Sequence, residues 1–326
     1  MNVLILAGGF ATRLWPLTEK RAKPLLLLDG KTILAHILEK IPSQAEVFLL
    51  TNKKFQSDFI RECKKLNREN VHIFCEDAHS DGEKLGALRA VSVAIKEFHL
   101  TENAFIFAGD NLLPKLSIEQ IFCSKNESKI AIREVESKEE ARKFGVVEIA
   151  PSHSSLQEEN FEVIGFEEKP EKPKSTLVST GFACIGSELF SVLHQFADQS
   201  PDALGGIFSE FLRQGKTVLA EKIEGEWFDV GSFETYLGAH KKLQKKDLAI
   251  AENVQQKNNF FSGKVFLGEG SNVQNCRITD SVIYPGCQLQ NCHISHSVLD
   301  EKCDLEGLDL NRKLVRKGTV LKAKSE

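Results

Sequence analysis

The sequence predicts an α/β domain followed by a short parallel β-helix, and three observations carry that prediction. Val3 to Ala7 form a short, continuous apolar and β-prone run, the pattern of a strand buried on both faces, and Gly8-Gly9 follow at once. Strand-like and helix-like stretches then alternate as far as Asp110. From Val265 onward the texture changes: residues 273–288 and 289–304, set 16 apart, agree at seven positions.

The opening run, MNVLILAGGFATRLWPLTEKRAKPLLLL, organises the chain. A strand that ends in two glycines lets backbone N–H groups approach a phosphate, because no Cβ intervenes. Arg13 adds a forked cation and Lys23, just before Pro24, a point charge. Together they suggest a triphosphate cradle at the carboxyl edge of the sheet. Two other glycine motifs fail here. A dinucleotide fingerprint needs spaced glycines and an acidic end to the second strand, whereas these glycines are adjacent and the strand Glu46–Leu50 ends in Thr51. Gly30-Lys31-Thr32 imitates the end of a P-loop, but the first glycine of that motif would fall on Leu25.

The run LAGGFATRLWPLTEKRAKP closely resembles the signature of the sugar-1-phosphate nucleotidyltransferases, or NDP-sugar pyrophosphorylases. The resemblance implies a Rossmann-like mixed sheet and transfer of a nucleotidyl group from a nucleoside triphosphate to a sugar 1-phosphate, with release of pyrophosphate. It further implies nucleotide contacts from Leu6, Ala7, Gly8, Gly9, Thr12, Arg13 and Lys23.

Beyond Lys23, apolar spacing predicts a helix over 31–41, a strand at Val47–Leu50, a helix over 53–68 and a strand at Val71–Cys75. Ala87, Ala90, Val91, Ala94 and Ile95 form the apolar face of a helix behind Gly86. The resemblance sets Gly86 beside the nucleotide base, though the loop before it matches no base specificity. The strand Ala104–Ala108 ends in Gly109-Asp110-Asn111. In isolation Asp110 reads as a turn or cap before a helix over 114–123, but beside the first motif a carboxylate at that edge suits Mg²⁺. A strand at Ile130–Val135, a charged helical turn at Lys138–Lys143 and a hairpin follow, the hairpin running from 144–148 through a polar tip at 151–160 to 161–166.

The hairpin leads to Glu168-Lys169-Pro170. In isolation this reads as a salt-bridged surface turn. The resemblance implies that Glu168 holds sugar hydroxyls, that Lys169 holds the sugar phosphate, and that Gly145 and Gly181 are further contacts on the sugar side. An aromatic residue often stands two places after that second glycine in the family, where this chain has Ala183. Helices over 187–196 and 207–213, a strand at Thr217–Ala220 and a helix from about 233 to 246 complete the first part. Before the last of these, Trp227-Phe228-Asp229-Val230-Gly231-Ser232 resembles the element that carries the second metal carboxylate, here Asp229.

Short apolar residues with small residues between them suggest stacked β-helix coils over 265–305, and the resemblance implies the left-handed form found in part of the family. Cys276, Cys287, Cys292 and Cys303 recur in step with the repeat. No C-x₂-C pair is present, so inward-stacked small residues explain them better than zinc does. Residues 1–247 are thus expected to form the catalytic domain, and 248–326 a repeat domain for assembly into a homo-oligomer.

Composition narrows the remaining choices. The 326 residues are 41% hydrophobic and carry a formal charge of −4, enough for a substantial core and without a basic stripe for nucleic acid. No apolar run is long enough for a membrane span, and residues 3–7 are too few for a signal peptide. Eight cysteines without a secretory signal suggest reduced thiols in the cytoplasm, where Asn126-Glu127-Ser128 has no meaning as a glycosylation acceptor. The expected substrates are dTTP or UTP with glucose 1-phosphate. The alternatives are mannose 1-phosphate with GTP, or a nucleotide-sugar-sensing subunit without turnover. In the implied reaction Arg13, Lys23 and Asp110 are catalytic, Asp110 and Asp229 hold Mg²⁺, and Lys169 orients the attacking phosphate.

Overall fold

The computed structural model describes residues 1–10, 12–150 and 160–323. Contacts divide the chain into two compact units, Met1–Gly9 with Leu34–Asp229 and Phe10–Ile33 with Val230–Glu326. The expected boundary at 247 assigns residues 10–33 to the catalytic part, whereas their contacts group them with the C-terminal repeat.

The first unit is built on a mixed sheet of nine strands among the described residues. They are β1 (Asn2–Leu6), β2 (Glu46–Asn52), β3 (Val71–Glu76), β4 (Ala104–Ala108), β5 (Glu127–Glu134), β6 (Gly145–Ile149), β7 (Asn160–Glu168), β8 (Leu177–Ile185) and β9 (Thr217–Lys222). Their order is β3-β2-β1-β4-β8-β5-β9-β7-β6. β1 runs parallel to both β2 and β4, as expected for an apolar run buried on both faces. β8 is antiparallel to β4 and β5, which makes the sheet mixed. Beyond it β6 and β7 pair antiparallel, and of the expected hairpin tip at 151–160 residues 151–159 lie outside the described residues, while 160 begins β7.

Helices cover this sheet with the apolar faces read from their spacing. Ala87–Glu97 buries Leu88, Val91, Ala94 and Ile95, and its Ser92 hydroxyl lies 2.7 Å from His194 Nδ1 on the helix Phe190–Gln199. With Gly206–Arg213 these helices share one core with Leu4, Phe48, Ile106, Ile130 and Val147 of the sheet. Among the described residues no helix is long and apolar enough to cross a membrane.

Two expected helices differ. The segment read as a helix over 31–41 begins as a hairpin: Leu27–Leu28 pairs with Lys31–Thr32, and helix spans only Ile33–Leu38. Asp29 and Gly30 both have positive φ (49° and 78°), so Asp-Gly is the two-residue hairpin turn its chemistry favours. At 114–123 only Ile118–Ile121 is helical, as a 3₁₀ turn opened by a Ser117–Gln120 capping box and closed by extended Phe122.

In the second unit, parallel strands stack in three sheets from Leu248 to Lys322, so the coil extends beyond 265–305 in both directions. Ile278 pairs with Ile294 and Ile294 with Leu310, which is the 16-residue register. The first coil is one residue longer, since Gln256 pairs with Val273. Left-handed residues turn the corners in columns: Asn258, Asn275, Asn291 and Gly307 on one, Gly263, Asp280, His296 and Arg312 on another. Cys276, Cys287, Cys292 and Cys303 are buried inside, where Ser271 Oγ accepts the Cys287 N–H (3.1 Å) and Cys276 Sγ the Cys292 N–H (3.4 Å). These stacked coils fit a left-handed β-helix.

Ile294 is 1% exposed and stacked between Ile278 and Leu310. Ile294→Ala should therefore cost about 2–5 kcal/mol in urea unfolding, and a loss below about 1 kcal/mol would show that the column is not close-packed.

Candidate active site

At the carboxyl edge of the sheet β1, β2 and β4 end together. The Ala7 N–H donates to Leu50 O (2.8 Å) and the Gly109 N–H to Leu6 O (2.9 Å). Those backbone groups of Leu6 and Ala7 are thus used by the sheet, and the chain first opens at the two glycines. A Cβ on Gly8 would lie 3.1 Å from Glu76 Oε1, while one on Gly9 would meet nothing within 4 Å. The Asn52 side chain donates to Gly8 O (2.9 Å). Glu76 is nearly buried and its Oε2 accepts the Leu85 N–H (2.8 Å), yet burial still raises its pKa. Neither Asn52 nor Glu76 stands out in the sequence as a site residue.

Gly86 has φ +93°, and a Cβ there would come within 2.6 Å of the Pro201 backbone. The helix it opens is already met by a carboxylate, since the Ala87 N–H donates to Asp202 Oδ1 (3.2 Å). Packing alone therefore demands glycine at 86.

Three sequence-distant segments meet around Asn111. Phe228–Asp229 pairs antiparallel with Asn111–Leu112, Asp229 opposite Asn111, so the two candidate metal carboxylates stand one residue apart across this ladder. The Asn111 amide donates to Asp110 Oδ1 (3.0 Å), and its oxygen accepts the Trp227 indole N–H (2.8 Å). Trp227 in turn packs on Phe144, ring centroids 4.8 Å apart, and Phe144 O accepts the Lys169 N–H (3.0 Å). Gly181, with φ +83°, has Ala108 Cβ and the Asn111 amide beside it, and any Cβ would fall 2.9 Å from the former.

Glu168 is paired in register with Gly145. Its Oε2 would overlap a Cβ on Gly205, while a Cβ on Gly145 would overlap the Phe166 ring and lie 3.0 Å from that same oxygen, so the glycines make room for the ring and the carboxylate together. Lys169 takes a left-handed backbone, φ 47°, rarely adopted by a side chain of this length. Its Nζ lies 3.6 Å from Glu168 Oε1, with the two side chains 65% and 41% exposed, so both remain open to a ligand. Asn111 and Gly205 went unassigned in the sequence. Gly205 could have been suspected from the adjacent pair Gly205-Gly206.

The remaining motif residues lie in the second unit. Thr12–Leu14 and Lys23–Leu25 are single 3₁₀ turns, with Arg13 exposed and Lys23 half-buried. Among the described residues no cluster of three or more metal-ligating side chains occurs, and the Asp110–Asp229 pair is the donor set in question.

A family model described as nucleotidyl transferase matches residues 2–246. The bifunctional protein GlmU of Methanocaldococcus jannaschii is 29% identical over 276 residues, 83% of this chain but 61% of the relative, so the chain spans less than two thirds of that protein's length. The UTP–glucose-1-phosphate uridylyltransferase AglF of Haloferax volcanii is 27% identical over 258 residues, 77% of this chain and all of the relative. Glucose-1-phosphate adenylyltransferase 1 of Vibrio cholerae is 30% identical, over 75% of this chain and 66% of its own. Among solved structures, UDP-glucose pyrophosphorylase bound to UDP-glucose superposes with a TM-score of 0.59 at 20% identity, over 74% of this chain and 97% of its own, and confirms the fold. With its family model matched over most of its length, the chain belongs to the nucleotidyl transferase family.

Proposed function

We propose that this chain makes a nucleoside diphosphate sugar and pyrophosphate from a nucleoside triphosphate and a sugar 1-phosphate. The observation that supports this most is the junction at Asn111, where Asp110, Asp229 and the Lys169 turn are linked through Trp227 and Phe144. A structural turn at Asp110 would need no such convergence.

Two hard carboxylates on neighbouring strands fit Mg²⁺, which takes one or two protein carboxylates and fills its shell with phosphate oxygens and water. Bound by Asp110 and Asp229, it would neutralise charge on the triphosphate. Lys169 presents the sugar phosphate, and Glu168, in the space left beside Gly205, accepts from sugar hydroxyls. A sugar-phosphate oxygen attacks the α-phosphorus, the bond to the bridging α–β oxygen breaks, and that electron pair leaves with pyrophosphate. No general base is required, because a phosphate monoester is already ionised near neutral pH. Arg13 is assigned to the leaving pyrophosphate and Lys23 to the α-phosphate on the strength of their motif. Rate enhancement then comes from positioning and charge neutralisation. A cytoplasmic homo-oligomer belongs to the same proposal, in keeping with eight free cysteines.

The relatives are named for uridylyl and adenylyl transfer, so the base must be measured. Pyrophosphate release from dTTP, UTP, ATP, CTP and GTP, each with glucose 1-phosphate and mannose 1-phosphate, should be greatest for dTTP or UTP with glucose 1-phosphate. No release from any pair would refute turnover and leave a ligand-sensing subunit. With the best pair, Asp110→Asn should lower kcat by about a hundredfold or more, and near-normal turnover would remove Asp110 from the reaction. Lys169→Ala should raise KM for the sugar 1-phosphate while leaving KM for the triphosphate nearly unchanged. Equal losses for both substrates would place Lys169 elsewhere.

A further inference from the structure

Between Arg13 and Lys23 stands Arg21, which the phosphate motif does not explain. Its side chain is only 14% exposed. Nη1 donates to Asp300 Oδ1 (3.0 Å), Nη2 donates to Glu301, and the guanidinium lies 4.8 Å over the Tyr284 ring. Glu301 is shared with Lys317. Tyr284 is fully buried, and its hydroxyl accepts the Leu27 N–H (3.0 Å) beside the Tyr236 hydroxyl, which donates to Leu27 O (2.6 Å). Nearer the N-terminus, Arg316 pairs with Glu19 (3.2 Å) and lies 4.9 Å over the Trp15 ring. The segment from Trp15 to Leu27 is therefore fastened to the coils at three points, on both sides of Lys23.

The fastening residues share one place in the repeat. Gly268, Tyr284, Asp300 and Arg316 follow one another at the 16-residue step, each joined to the next coil by the ladder: the Tyr284 N–H donates to Leu299 O and the Asp300 N–H to Val315 O. A column that only had to stack would repeat apolar or small residues, as Ile278, Ile294 and Leu310 do. This one changes from glycine to tyrosine, aspartate and arginine, and the last three meet successive parts of the 15–27 segment. A buried ion pair is costly to desolvate and is poor evidence for stability alone, so its retention here calls for another reason. A segment of two 3₁₀ turns and a two-residue hairpin has little regular structure of its own to fix the cations it carries.

We infer that Arg21 is a positioning residue for the phosphate-binding segment, and that the Tyr284–Asp300–Arg316 column is the template holding Arg13 and Lys23 in place, so that the coils take part in nucleotide binding as well as in assembly. The inference rests on the proposed role of Arg13 and Lys23. Its test is equilibrium titration of the full-length protein with UTP and dTTP in Mg²⁺, beside the KM for glucose 1-phosphate. Arg21→Ala should weaken triphosphate binding about tenfold and Tyr284→Phe should do so by a smaller factor, both leaving the sugar-phosphate KM within about twofold. Arg21→Lys should recover only part of the loss, because an ammonium cannot span two carboxylates as the guanidinium fork does. A purely structural role would lower the folded fraction and the melting temperature without separating the two substrates. If Arg21→Ala does not fold, Tyr284→Phe, which removes one hydroxyl, decides. Unchanged triphosphate affinity in folded variants overturns the inference and leaves the proposed function standing. A wild-type protein that binds neither triphosphate overturns both.

Discussion

The bond from the Trp227 indole to the Asn111 side chain, 2.8 Å long, is the constraint on which the candidate site depends. Asn111 is 9% exposed, and its amide has one acceptor and one donor end to satisfy. Trp227 takes the acceptor and Asp110 the donor, so a single planar group fixes the orientation of the carboxylate and the path of the strand that carries Asp229. Losing either partner would leave a buried polar atom unpaired, at about 1–3 kcal/mol. That cost makes the arrangement specific: the amide has one orientation in which both ends are satisfied.

A second constraint is steric. The Glu168 carboxylate occupies volume that a Cβ at Gly205 would need, the Phe166 ring occupies that at Gly145, and Gly181 lies against Ala108 where no side chain fits. Gly86 is glycine for a similar reason, set by the Pro201 backbone. The assignments of Gly145 and Gly181 to sugar contact and of Gly86 to the base thus acquire a packing explanation that holds whether or not a ligand touches them. At Lys169 the side chain is free of such a constraint. The left-handed backbone of Lys169 is held by its N–H on Phe144 O, and its side chain, 65% exposed, is not fixed by packing.

How far the sequence revealed this follows from the range of each interaction. β1 and the strand-end positions of Gly8 and Asp110 were legible because burial on both faces leaves an uninterrupted apolar run, and the coil register because each coil repeats the same inward residues. The Asp29-Gly30 hairpin was missed although its turn chemistry is local, since the apolar residues after it suggested one longer helix. Asn111 and Glu76 were not legible at all, and for Gly205 the sequence offered only the adjacent pair Gly205-Gly206. Their partners lie 116, 9 and 37 positions away respectively, in Trp227, Leu85 and Glu168, and no local pattern marks an amide or a glycine as shared.

The division of contacts gives the proposed phosphate motif an unexpected physical form. Its glycines end a strand of the first unit, and its cations fold with the coils. Leu14, Leu17, Leu25, Leu26 and Leu28 are buried, so the segment is no loose surface loop, yet among its described residues no regular element longer than three residues holds those leucines in place. Order at Arg13 and Lys23 must then come from tertiary contact, and the charged and aromatic column of the coils supplies it at Trp15, Glu19, Arg21 and Leu27. On this reasoning a repeat that evolved only to lengthen the chain or to assemble copies would keep its apolar pattern around every side. The departure from that pattern at Tyr284, Asp300 and Arg316 coincides with the contacts these residues make to the 15–27 segment of the same unit.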